Sequence, residues 1–350
     1  MKTEHLLIMR LSAMGDVAML VPVTFSLARQ YPNLRITVLS KPFARPFFEN
    51  ISDNVGFMET DINGEESGLH GLNVLYRRLS AKHFTAVADM HDVLRTKYLR
   101  MRFTIDQYRV EHIDKHRAER QRLCRLGYKG MSPLPSAFDN YADVLARLGY
   151  PIECSFRSIF PEQRGEIRSL APAIPEKKSF QQWIGIAPFA AHTGKIYPPD
   201  KMETVIGIIT QRHPNCRIFL FGGGRKEQEI MNGWAGKNKQ CICVAGTLKG
   251  LDKELSLMSY LDVMVSMDSA NMHLASLVAT PVVSVWGATH PCAGFMGWGQ
   301  SEENAVQVDL SCRPCSVFGK KACHRGDYAC LNRIEPVEIA DKVESILMRK

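Results

Sequence analysis

No stretch of this 350-residue chain is apolar over anything near the ~20 residues that a bilayer crossing requires. The longest apolar runs, His5–Leu11 and Thr280–Trp286, are strand-sized, so no membrane-spanning helix is expected. Met1-Lys2-Thr3-Glu4-His5 leads into a short apolar run that ends in Arg10 without a signal-peptide cleavage pattern, so a cytoplasmic location is expected. The chain has no tandem repeat and no low-complexity tract, which excludes solenoids and disordered linker proteins. Its glycine-rich turn is not G-x-G-x-x-G, and no Walker Lys-Ser/Thr pair follows it. Aromatics do not alternate with the basic residues as a base-stacking platform would need, so nucleic acid ranks last among anionic partners.

The composition that is present, 45% hydrophobic and 23% charged, is that of a globular protein, and the length suggests two domains. The net charge of +8 is local. Tyr76–Gly130 holds 14 Lys and Arg against 6 Asp and Glu and so accounts for all of it. That stretch is either a solvated helical face or a site for an anionic partner.

Read along the chain, His5–Leu11, a helix to about Gln30 and the run Arg35–Leu39 form a strand–helix–strand opening. Ala86–Asp89 is a further strand, followed by a basic helix from about Val93. Tyr141–Leu148 is a helix stopped by Gly149. The composition shifts between Ala171 and Gln182, where prolines and charges replace apolar periodicity, and the interdomain linker is placed at about 172–182. A second α/β series follows, with strands Trp183–Ala187, Arg217–Phe221, Leu261–Met267 and Pro281–Trp286, a helix Ser269–Ala279 and a terminal helix Pro336–Met348. The fold class is therefore α/β, with two Rossmann-like domains over 1–171 and 183–335 and a C-terminal helix over 336–350. Domains of this kind would face each other across a cleft, with ligands at the carboxyl ends of their parallel strands.

Five sites stand at such strand ends. In Met14-Gly15-Asp16-Val17, Asp16 is either a helix cap, suited to the positive helix end, or a general base for an acceptor hydroxyl. An ordinary aspartate, with a pKa of about 3.9, helps an alcohol attack only if the proton leaves late. In His192-Thr193-Gly194-Lys195, Lys195 is a compact cation suited to a diphosphate, or a solvated loop lysine. Gly222-Gly223-Gly224 bares backbone N–H groups to phosphate or ribose, with Glu227 a candidate for ribose hydroxyls, or it is a plain strand-to-helix turn. Asp268 ends a strand and the helix starts at once. The N–H groups of Ser269, Ala270 and Asn271 would there form an anion site with His273 one turn on, or Asp268 is simply a cap beside a satisfied histidine. Trp286-Gly287-Ala288-Thr289-His290-Pro291 would lie beside that site, with Thr289 near a phosphate or sugar, or it is an ordinary loop stop.

These pieces, in this order and over essentially the whole chain, resemble glycosyltransferase family 9, the heptosyltransferases of bacterial lipopolysaccharide synthesis. The resemblance implies a GT-B fold, a donor site mostly in the C-terminal domain, inversion at the sugar carbon and no cofactor or metal required for catalysis. It puts the catalytic aspartate on Asp16, the diphosphate-contacting lysine on Lys195, and the donor-binding aspartate and histidine on Asp268 and His273. No D-x-D stands at a strand end to hold a metal-bound diphosphate. Ser269-Ala270 stand where members commonly carry Thr-Gly, and Gly287-Ala288-Thr289 where they carry Gly-Pro-Thr. The donor that the resemblance implies is a nucleotide-diphosphate sugar, ADP-heptose by family default. The acceptor, a lipopolysaccharide-core or related anionic saccharide or glycolipid at the cytoplasmic membrane face, would meet the N-terminal domain through Arg95, Lys97, Arg100 and Arg102. Two rivals remain open: a nucleotide-sugar epimerase on the same plan, and a non-catalytic binding module for anionic glycan.

Ten cysteines in a chain expected in the cytosol argue against a disulfide scaffold. Cys312, Cys315, Cys323 and Cys330 cluster near the end with one C-x2-C pair, which fits a structural metal, plain thiols or redox behaviour. The cluster is read as structural because it lies beyond the donor loops in sequence.

Overall fold

The computed structural model describes residues 4–49, 51–125, 130, 132–161 and 164–349. Residues 126–129, inside the basic stretch, lie outside these. The described chain forms two compact units, Met1–Lys115 with Pro135–Ile159, and His116–Leu134 with Phe160–Lys350.

The first unit is a five-stranded parallel sheet. Its strands are β1 (His5–Met9), β2 (Arg35–Ser40), β3 (Val55–Glu59), β4 (Ala86–Asp89) and β5 (Arg109–His112), in the order β3-β2-β1-β4-β5. β1 and β4 are buried along their whole length, as expected of near-continuous apolar strands covered on both faces. Helix Met14–Gln30 is buried over most of Val17–Ala28 and packs beside helix Ala137–Arg147. The latter starts four residues before the sequence reading, because Ser136 and Asp139 form a reciprocal cap: Ser136 Oγ accepts from the Asp139 amide at 3.1 Å and Asp139 Oδ2 from the Ser136 amide at 2.9 Å.

The second unit is a six-stranded parallel sheet. It contains β6 (Trp183–Ala187), β7 (Arg217–Leu220), β8 (Cys241–Cys243), β9 (Val263–Met267), β10 (Val282–Val285) and β11 (Ala305–Val306), in the order β11-β10-β9-β6-β7-β8. The chain starts each sheet in the middle, builds outward to one side, then crosses back. The strand order therefore reverses between β1 and β4 in the first unit and between β6 and β9 in the second. These switch points leave crevices at the carboxyl ends of the strands.

The units divide differently from the domain bounds read in the sequence. The chain passes between them at 115/116, 134/135 and 159/160, not within 172–182. Residues 160–182 belong to the second unit: the Gly165 amide donates to Ser259 Oγ at 2.8 Å, and Lys177 Nζ lies 2.7 Å from Asp262 Oδ2. The segment 116–134 joins it too, with the Leu134 amide donating to the Cys292 carbonyl at 2.9 Å. Helix Pro336–Leu347 also packs into this unit, against helix Pro199–Arg212, and Arg212 reaches Asp341 at 2.7 Å and Glu344 at 2.9 Å. A polar, proline-rich composition marks a surface path, and a surface path is not always a boundary. Among the described residues no helix is long and apolar enough to cross a membrane.

Candidate functional site

The first unit gathers charge at its switch point. β1 ends at Met9 and is followed by Arg10. Helix Met14–Gln30 then places Asp16 in its first turn. Asp16 Oδ2 sits 2.6 Å from Arg10 Nη2 and accepts the Ala13 amide at 3.2 Å. The Asp16 side chain is 33% exposed while that of Arg10 is 6% exposed, so the carboxylate faces outward and its cation is sealed beneath it. Arg10 is held by its own donation to the Met90 carbonyl at 2.5 Å and lies over the Tyr141 ring, 5.9 Å from the centroid. Tyr141 Oη donates to the Asp16 carbonyl at 3.1 Å. Just past β4, His91 Nδ1 accepts the Leu11 amide at 3.4 Å. Burial, with Arg10 and Lys115 adding to it, pushes the His91 imidazole down to about 3, so it is neutral at physiological pH. Asp16 thus does part of a cap's work at the helix start and is also a held, partly exposed carboxylate at the strand ends. Arg10, His91 and Tyr141 were not picked out from the sequence. The one local signal was Arg10, a charge closing an otherwise apolar run.

The four basic residues of helix Leu94–Ile105 do not act alike. Arg100 is turned inward to Asp89 at 3.3 Å and Asp92 at 3.4 Å. Arg102 donates to Asn73 Oδ1 at 2.7 Å and stacks over Tyr76 at 4.6 Å. Lys97 is exposed, 3.5 Å from Asp92, and Arg95 is exposed with no ion pair among the described residues.

In the second unit three loops converge at the switch point. Lys195 closes a short turn, Thr193–Lys195, after β6, and its Nζ lies 2.8 Å from Asp268 Oδ2 beyond β9. Thr289, beyond β10, donates from Oγ1 to the same oxygen at 2.7 Å. The side chains of Lys195 and Asp268 are 15% and 5% exposed. The loops are also joined through backbone, with the Ala288 amide donating to the Gly194 carbonyl at 2.8 Å. Gly287 is required here, because a Cβ would stand 2.5 Å from the Gly194 oxygen. Ser269 is the extended residue before helix Ala270–Leu277, whose first amides have no acceptors within the helix. His273 is buried in that helix. Lys195, Asp268, Ser269, Ala270 and Thr289 therefore come together.

Gly222–Gly224 follow β7. The Gly223 amide donates to Glu227 Oε2 at 2.8 Å, so one oxygen of Glu227 closes its own loop, and Gly224 (φ +75°) starts helix Arg225–Lys237.

The cysteine segment, which follows these loops in sequence, packs against them. The Cys315 amide donates to the Ala288 carbonyl at 3.0 Å. Arg313, buried, donates to the carbonyls of Gly287 at 2.6 Å, Thr289 at 2.9 Å and Trp286 at 3.3 Å. Arg313 thus props the Trp286–Thr289 loop from behind, a role that no local pattern announces. All four cysteines are free, and burial pushes the Cys330 thiol up to about 11. Among the described residues no three His, Cys, Asp or Glu side chains are gathered closely enough to hold a metal ion.

Two parallel α/β units carry charged constellations at their switch points, and comparison with known proteins gives the family. Glycosyltransferase family 9 (heptosyltransferase) matches residues 73–324, and the chain belongs to that family. Lipooligosaccharide heptosyltransferase 2 of Campylobacter jejuni (serotype O:2) is 25% identical over 136 residues, 37% of this chain and 40% of that protein. The chain spans about half or less of the length of the two C. jejuni relatives it matches. A lipopolysaccharide core heptosyltransferase, OpsX, of Haemophilus influenzae is 23% identical over 302 residues, 82% of this chain and 80% of that one. The crystal structure of a family 9 glycosyl transferase from Veillonella parvula superposes with a TM-score of 0.74 at 18% identity, covering 100% of this chain and 99% of the other. That likeness shows the fold, which is of the GT-B type.

Proposed function

We propose that the chain transfers a heptose-like sugar, with inversion and without a catalytic metal, from a nucleotide diphosphate to a lipopolysaccharide-core or related saccharide. ADP-heptose is the donor to test first. The observation that carries this reading is the Lys195–Asp268–Thr289 constellation beside a helix N-terminus at the second switch point, matched by the outward carboxylate of Asp16 at the first.

In this reading the acceptor oxygen attacks the anomeric carbon as the bond to the diphosphate oxygen breaks, and the acceptor proton passes to Asp16. The leaving diphosphate takes up the bond's electron pair. Its growing charge meets Lys195 and the first amides of helix Ala270–Leu277, so these contacts strengthen as the reaction proceeds. Asp268 and Thr289 keep the lysine in place. A lysine has three donors, so one can stay on Asp268 while others turn to the diphosphate. Gly222, Gly223 and Glu227 are proposed to border the nucleoside, and His273 to back the helix end.

The test is a single-turnover assay with ADP-heptose and a heptose-deficient core acceptor, in EDTA. Acceptor-dependent release of ADP, with a glycosidic product of inverted configuration, is expected. Conversion of the donor without acceptor, or loss of turnover in EDTA that Mg²⁺ restores, would overturn the reading.

The acceptor side is proposed to use Arg95 and Lys97, the exposed cations of helix Leu94–Ile105, since Arg100 and Arg102 are half-buried against partners within the unit. Neutralising Arg95 and Lys97 together is expected to raise KM for a water-soluble anionic acceptor by roughly 3–10-fold, leave the donor KM alone, and be mimicked by salt. Acceptor KM values that ignore both changes would assign these cations to a solvated face.

A further inference from the structure

Lys195 has a second close neighbour besides Asp268, and the cysteine segment supplies it. The loop 316–321, between Cys315 and Cys323, closes on itself where the Lys321 amide donates to Ser316 Oγ at 3.4 Å. It is tied to the loop after β10, because the amides of Cys315 and Ser316 both donate to the Ala288 carbonyl, at 3.0 and 3.3 Å. The Ala288 amide in turn holds the Gly194 carbonyl. Gly319 is thereby set against the turn Thr193–Lys195. The two backbones approach so closely that a Cβ on Gly194 would stand 2.9 Å from the Gly319 carbonyl oxygen.

Gly319 is buried, its φ is +74°, and its bare Cα faces the stem of Lys195. A Cβ at this position would stand 2.6 Å from Lys195 Cγ, 3.3 Å from Cδ and 3.2 Å from Cε. Carbon atoms pack at about 3.5–4.0 Å, so three carbons of one side chain would be pushed at once. The nearest of them, Cγ, is close to the Lys195 backbone and cannot yield as the tip of a lysine can. The stem would have to swing as a whole and carry the ammonium off Asp268 Oδ2, from which it now lies 2.8 Å.

We infer that Gly319 is a positioning residue for sugar transfer: it lets the Lys195 stem run flat along the backbone of the cysteine segment and so aims the ammonium at the leaving diphosphate. The inference rests on the role proposed above for Lys195 and gives the cysteine segment a part in it. A glycine needed only for its turn would be there for φ alone and would have no reason to act through Lys195. Asparagine separates the two cases. It tolerates the left-handed region better than alanine, yet it brings the same Cβ.

The experiment compares G319A, G319N, K195A and G319A/K195A by melting temperature, kcat and donor KM with ADP-heptose. G319A and G319N are both expected to lower kcat by roughly tenfold or more and to leave donor KM within about threefold, since the lysine acts chiefly on charge that develops in the transition state. The melting temperature should fall further for G319A than for G319N. With alanine at 195 there is no stem to displace, so G319A should then change kcat by less than about twofold, the non-additivity of two residues that act as one. If G319A does not fold, G319N and G319N/K195A make the same comparison. Either glycine variant with wild-type kcat overturns the inference. So does a glycine variant that lowers kcat by the same factor with and without Lys195, which would reduce Gly319 to a matter of loop stability. These outcomes leave the role of Lys195 standing. K195A with wild-type kcat would instead overturn that role, and the inference with it.

Discussion

Asp16→Asn is expected to lower kcat by roughly 10²–10⁴ while donor affinity stays within a few-fold, the range for loss of a positioned base. The amide keeps an oxygen for the Ala13 N–H, so the start of helix Met14–Gln30 should hold. The change also removes the carboxylate from Arg10, whose side chain is 6% exposed. Hydrogen bonds to charged groups contribute on the order of 1.5–3 kcal/mol, and Asp16 is one-third exposed, so solvent screening reduces that figure. A fall in stability on the order of 1 kcal/mol should therefore accompany the loss of turnover. Thermal melting and active-site-normalised turnover separate the two effects. Lower stability with unchanged turnover per folded molecule would leave Asp16 as a cap and counter-ion and remove it from the chemistry.

The second large effect is expected at Lys195. Lys195→Ala should lower kcat/KM by about 10²–10³, the scale for deleting one contact that stabilises a developing anion, and should weaken binding of the nucleotide diphosphate less than it lowers kcat. The substitution also leaves Asp268 buried with only Thr289 against it, so stability should drop. Replacing the pair together with the hydroxyl that donates to it, as K195M/D268L/T289V, is expected to recover most of that stability, because a buried polar cluster can often be exchanged as a whole for apolar groups of similar volume without loss. Activity should not recover. If turnover returned with stability, the pair would be structural and the diphosphate would have to be held elsewhere.

Much of the fold was legible because parallel strands covered on both faces are short apolar runs. Ala86–Asp89 and Trp183–Ala187 coincide with β4 and β6. β3, β5 and β8 were harder to read. β3 and β5 have no fully buried residue, and β8 is three residues long, so neither hydrophobicity nor period marks them. Helix Gly68–Ser80 was missed behind the same irregular stretch. The helix beginning at Ala137 was clipped to Tyr141 because its start depends on a Ser136–Asp139 cap and not on apolar spacing.

The site divides in the same way. Asp16, Lys195, Asp268 and Thr289 could be named from the sequence because each stands just past a strand-sized apolar run, and that adjacency is local. What lay beyond the sequence was which strand ends are neighbours. Strand order depends on pairing between segments far apart in the chain: β1 with β4 over about 80 residues, and β6 with β9 over a similar span. Only that pairing brings the loops after β6 and β9 to one crevice and sets Lys195 on Asp268. The buried supports follow the same rule. Arg10 under Asp16 and Arg313 behind the Trp286–Thr289 loop satisfy carboxylate and carbonyl groups that tertiary packing has already taken from water, and a buried polar group must find its partner wherever the fold has put one. The sequence by itself determined the α/β class and the residue types at the strand ends, since both are written in short-range pattern. The tertiary structure decided the switch points, the membership of segments 116–134 and 160–182 in the second unit, and the ion pairs that hold the site. Each of these depends on which distant surfaces exclude water together.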